Sequence, residues 1–176
     1  MRILGAIIAA ALLVFFALCY FAGVFDSLRL SVQEVGPYAL IYREHKGPVQ
    51  GVRFVLFNVY AYLKDKRSIR PERGFVVFLD NPQKTKKEEL HSRAGYITDS
   101  LLTNVDSLYK TDVFPRTRAV TGTIRLRSFM SPMSGSVKFY SKLPEFLHRQ
   151  MLEPAGPVME IYDIPAKKIL YCEPVK

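Results

Sequence analysis

The chain has 176 residues, 49% hydrophobic and 23% charged, which excludes a disordered tail and fits one globular domain with a buried core. Its net charge of +9, from 25 Lys and Arg against 16 Asp and Glu, gathers in "KDKRSIRPER" (64–73) and "KTKK" (84–87). Tyr and Phe do not interleave with these runs, so nucleic acid is not an expected partner; an anionic membrane surface or solvated loops account for the excess.

Cys19 and Cys172 make no disulfide scaffold, and with His45, His91 and His148 scattered along the chain no metal, haem or other cofactor is expected.

In chain order, "ILGAIIAAALLVFFALCYFAGVF" (3–25) carries no charge and is long enough, at about 1.5 Å per residue, to span a hydrocarbon core of roughly 30 Å. Signal-peptide apolar regions are shorter, about 7 to 15 residues, so residues 1–26 are read as an uncleaved single-pass anchor. Flanking charges lean by one or two residues to a cytoplasmic N-terminus and an exported domain, which leaves the side of the domain undecided. Residues 27–37 read as a linker or an edge strand.

"YALIYREH" (38–45) alternates as a strand and is broken by Gly47-Pro48. Val49, Val52, Leu56, Val59 or Tyr60, and Leu63 then recur at helical spacing. "FVVFLDNP" (75–82) is a strand buried on both faces, ending in a turn, and "RAGYIT" (93–98) returns beside it. The order then repeats. "RAVTGTIRLRSF" (118–129) is a strand, and Met133, Val137, Tyr140, Pro144, Leu147 and Met151 mark a helical face that Pro144 must kink or restart. "VMEIYDIP" (158–165) and "KKILYCEP" (167–174) form a hairpin.

The reading is an α+β domain over 38–176, a duplicated β-α-β-β antiparallel sheet with two helices on one face, preceded by one transmembrane helix. Repeat one spans about 38–98 and repeat two about 117–174, with a groove between them. Aligning the two Asp-x-Pro turns sets Glu160 against Val77 and Tyr162 against Leu79. Only the second repeat carries a carboxylate in its buried strand.

"YALIYREHKGPVQGV" and "GPVMEIYDIP" resemble the first strand with its Gly-Pro turn and the final hairpin of the GyrI-like (gyrase-inhibitor-like) small-molecule-binding domains. Within that family the anchor, the "DNP" and the Cys-x-Pro end resemble most the membrane-anchored, testis-expressed ER-phagy receptor type. The resemblance implies a pocket in which the strand glutamate, here Glu160, faces cationic aromatic ligands.

Glu160 and Tyr162 are accordingly expected to bind a small amphipathic or cationic ligand, with Tyr42, Tyr96 and Tyr140 as groove walls. An ion pair between Glu160 and a basic residue is the structural alternative. A non-catalytic adaptor, docking a protein partner or an anionic membrane surface, is the alternative function. A hydrolase using Glu160 as base comes after both, because no nucleophile with an adjacent base is identifiable. Cys172 is expected to be a small buried apolar residue.

Overall fold

A computed structural model describes residues 2–176 except 82, 83 and 129, and all of the described side chains except that of Arg2. The apolar run forms helix α1 (Arg2–Phe21), whose Ile3–Phe21 portion is long and apolar enough to cross a membrane and packs against nothing over most of its length. Then follow β1 (Leu30–Val35), β2 (Tyr38–Lys46), a short 3-10 turn, α2 (Val52–Arg67), β3 (Arg73–Phe78), β4 (His91–Thr98), β5 (Lys110–Phe114), β6 (Thr117–Arg125), α3 (Ser131–Gln150), β7 (Met159–Asp163) and β8 (Lys168–Pro174).

Among the described residues eight strands form one antiparallel sheet in the order β1-β6-β8-β7-β3-β4-β2-β5. Each half is a β-α-β-β unit, β2-α2-β3-β4 and β6-α3-β7-β8, joined at the sheet centre by β3 and β7. The outer strands are exchanged. β1, which precedes the first unit, pairs with β6 of the second, and β5, which precedes the second unit, pairs with β2 of the first. The segment left open between linker and strand is therefore mostly strand, and β5 is one that alternation in the sequence does not announce.

Strand parity divides the core into two layers. Phe75, Val77, Met159, Ile161, Cys172, Leu40 and Tyr42 pack together on the face away from the helices. They are buried without helical cover because the sheet curls on itself, bringing Val35 at the end of β1 into one cluster with Phe114 at the end of β5. The crossing is tight at Gly36: its φ is +82°, and a β-carbon there would lie 2.8 Å from the Pro115 carbonyl oxygen, so both backbone shape and space require glycine.

On the other face, α2 packs on Ile41, Val76 and Ala94, and α3 packs on Val120, Ile124, Ile169 and Tyr171. Helix α3 runs unbroken through Pro144. Its buried side is not the stripe that the spacing of Met133, Val137 and Met151 suggests: Met133 and Val137 are 60% and 56% exposed and Met151 is more so, while Gly135, Phe139, Leu143 and Leu147 face the sheet. The rotation is fixed by Tyr171. Phe139 stacks on its ring with centroids 5.4 Å apart, and a β-carbon at Gly135 would fall on the Tyr171 hydroxyl and Ile124 Cδ1, so only glycine lets the helix sit this low.

The end of α1 is tied to α3. Lys138 Nζ donates to the carbonyls of Gly23, Val24 and Asp26, Ser134 Oγ to Ala22 O at 2.6 Å, and Arg127 pairs with Asp26 at 2.7 Å. These donors satisfy carbonyls that a helix C-terminus and the chain leaving it present without intrahelical partners.

Candidate functional site

The site lies at the sheet centre, on the face that α2 and α3 cover. β7 carries Glu160 and Tyr162 on the helix-facing side, since Met159 and Ile161 belong to the opposite layer. Across from Glu160 stand Val76 of β3 and Tyr171 of β8; across from Tyr162 stand Gly74 of β3 and Ile169 of β8. Val76, not Val77, shares the face of Glu160, so the alignment of the Asp-x-Pro turns is out of step by one residue. A one-residue offset in a strand exchanges the two faces of the sheet. Pro82 of the first turn lies outside the described residues.

Glu160 is 2% exposed. The Tyr162 hydroxyl donates to its Oε2 at 2.7 Å, whereas Oε1 has no hydrogen-bond partner. Among the described residues no Lys or Arg pairs with it, so the ion-pair alternative fails. Burial pushes the carboxyl up from its ordinary 4.5 to about 7, against the opposing effect of hydrogen bonding from Tyr162 and Ser136. The same burial, with the nearby Glu160 charge, raises the Tyr162 phenol far above its usual range.

Helix α3 roofs the carboxylate. Ser136 approaches it, and Tyr140, whose phenol is raised by burial and then by Glu160 and Glu173, is close enough to sense it. Tyr171 is occupied elsewhere, donating to Pro132 O at 2.8 Å in the first turn of α3. Tyr96 lies in the same cross-strand row as Tyr162, separated by Gly74, and meets Tyr60 of α2 at 5.8 Å between centroids.

Of the residues expected at the site, Glu160, Tyr162 and Tyr140 come together, and Tyr96 stands in the same row as Tyr162 beyond Gly74. Tyr42 does not join them. It faces the opposite layer, against Phe75 and under the Arg93 guanidinium, because β2 presents Ile41, not Tyr42, to α2.

Glu173 was missed. It is 6% exposed, has no acidic or basic partner among the described residues, and burial alone pushes its carboxyl up to about 7. The signal for it in the sequence is alternation from Ile169 and Tyr171, which sets Glu173 on their face.

His91 and His45 make local contacts. His91 donates its backbone N–H to Asp80 Oδ2 at 2.8 Å, with its ring Nδ1 3.0 Å from the same oxygen, and His45 Nε2 lies 3.0 Å from Pro48 O. No metal-ligating cluster occurs among the described residues. Cys172 is buried, with its thiol pushed up to about 12.

No family model and no curated protein matches the chain. Solved structures do. The C-terminal domain of EcmrR superposes with a TM-score of 0.64 at 10% identity, covering 85% of this chain and 98% of that one. SAV2435 bound to tetraphenylphosphonium gives 0.53 at 10% identity, over 84% and 94%. A hydrolase from Listeria innocua gives 0.54 at 15%, over 84% and 92%. At these identities the likeness is one of fold, and the fold is consistent with the GyrI-like family. The narrower resemblance to the ER-phagy receptor type finds no support among these neighbours.

Proposed function

We propose that this protein binds a small organic cation in the cleft between α2 and α3 of a GyrI-like domain that α1 holds at a membrane. One observation carries the reading: a buried carboxylate with one oxygen bonded to a tyrosine and the other unpartnered. An unsatisfied buried acceptor is costly, and a cation seated on it would recover that cost. Tyr162, Tyr140 and Tyr96 add aromatic walls, each contributing about 0.5 to 2 kcal/mol to a cation over its face, depending on desolvation. The fold neighbour SAV2435, seen with tetraphenylphosphonium, supports the same class of ligand.

The test is thermal unfolding of the full chain in a non-ionic detergent with tetraphenylphosphonium or the anionic tetraphenylborate. A cation present at about 100 times its dissociation constant stabilises by about 2.7 kcal/mol. Stabilisation by the phosphonium alone, lost in Glu160→Gln, is the expected result. Equal effects of the two ions, or an unaffected variant, would overturn it.

A second reading, the adaptor, draws on α2, whose outward side exposes Phe54 and Phe57, with Arg53 over the Phe54 ring at 4.8 Å. Binding to anionic vesicles that falls with salt and ignores Glu160→Gln would favour it. Turnover by Glu160 ranks below both: the hydroxyls that approach the carboxylate, those of Tyr162 and Ser136, have no histidine, lysine or metal-ligating cluster bonded to them among the described residues.

A further inference from the structure

Glu160 is not the sole buried carboxylate under α3. On β8, Tyr171 stands directly across from Glu160, and Glu173 follows two residues later on the same face. Diagonal neighbours of this kind are roughly 7 Å apart. Glu173 pairs across the sheet with Val120, a residue of the α3 core, which confirms that it faces the helix. Tyr140 is the α3 side chain whose phenol senses both carboxylates. Two acids thus lie along one strip of sheet, and Tyr140 of the roof packs on the same core cluster as Tyr171 and Val120. In a chain with 25 Lys and Arg, neither acid is matched by a basic side chain among the described residues.

We propose that the site recognises a linear diammonium ligand, one ammonium on Glu160 and the other on Glu173, with the intervening methylenes against the Tyr140 ring. This rests on the cation-binding reading above and narrows it. The unpartnered Oε1 of Glu160 is the feature that points to a ligand, and Glu173 sets the ligand's second charge. Each ammonium brings several donors, which suits carboxylates that protein groups leave open. Tyr162 on Glu160 and Ser136 in the roof remain as the polar groups facing the first position.

The experiment is calorimetric titration of the full chain in detergent with 1,4-diaminobutane, butylamine and tetraphenylphosphonium, in two buffers of different ionisation enthalpy, on wild type, Glu173→Gln and Glu160→Gln. The diamine is expected to bind at least about tenfold tighter than butylamine, and Glu173→Gln is expected to abolish that advantage while leaving the phosphonium unaffected. At pH 6 the diamine should release close to twice as many protons as the monoamine, a readout that needs no variant to fold. Equal affinity and equal proton release for the two amines overturn the proposal. If the phosphonium still binds through Glu160 in that case, the cation-binding reading stands alone; if no cation binds, both fall.

Discussion

The Tyr162 hydroxyl donates to Glu160 Oε2 at 2.7 Å, two positions apart on β7 and facing the same side. Its removal is a direct probe of the site. Tyr162→Phe should destabilise by about 1.5 to 3 kcal/mol at pH 8, where the acceptor is charged, and by about 0.5 to 1.5 kcal/mol at pH 5, where it is neutral. Urea unfolding at the two pH values measures the difference; equal losses would place the charge elsewhere.

The two buried acids make stability depend on pH. Glu160 and Glu173 are both raised from 4.5 to about 7, so between those values the folded state holds protons that the unfolded state has lost. Stability from these groups is therefore full below about 4.5 and declines as pH rises to about 7. At about 1.4 kcal/mol per unit, each costs on the order of 3 kcal/mol by pH 8. Asp80 and Glu44, lowered by His91 and Lys110 respectively, act below this window. Glu160→Gln should melt like wild type at pH 5 and higher than wild type at pH 8. A shift of the same size at both would sink the linkage.

Gly135 is the closest approach of α3 to the sheet. Gly135→Ala must push the helix off Tyr171 and Ile124, an overpacking expected to cost about 1 to 3 kcal/mol despite the gain in helix propensity. The Tyr171 hydroxyl bond to Pro132 O should weaken with it. Thermal unfolding together with tyrosine near-ultraviolet circular dichroism checks both; a stabilised variant would mean that the roof is free to rise.

Lys138 holds the exit of α1. Lys138→Ala removes the ammonium shared by the Gly23, Val24 and Asp26 carbonyls. Amide exchange over residues 24–28 should accelerate roughly tenfold, equivalent to about 1.4 kcal/mol. Exchange in β3 and β7 should stay as it was. Unchanged exchange at 24–28 would assign the junction to Arg127 and Asp26 instead.

Tyr42 separates the two faces of the sheet. Tyr42→Phe should leave phosphonium binding unchanged, whereas Tyr140→Phe and Tyr96→Phe alter the walls of the cleft. Equilibrium titration of the three variants decides it, and a loss confined to Tyr42→Phe would move the site to the inner layer.

Alternation, helical spacing and Gly-Pro breaks made most elements legible, because each records which side of a local segment is apolar. β3 is an example: "FVVF" is apolar at every position because both of its faces are covered, one by α2 and the other by the curled sheet. β5 was not legible. "KTDVF" is polar at an exposed edge and is held by pairing with β2, a partner about 70 residues away in the chain.

What the sequence determined by itself was the apolar span, the order of the two β-α-β-β units, and the oddity of a carboxylate in a buried strand; all are local properties of composition and period. Tertiary structure decided the rest. The exchange of β1 and β5, the rotation of α3 onto Tyr171, the turning of Tyr42 to the opposite layer and the placement of Glu173 diagonal to Glu160 depend on register between distant strands. A shift of one residue there reverses every face, and no local pattern carries that information.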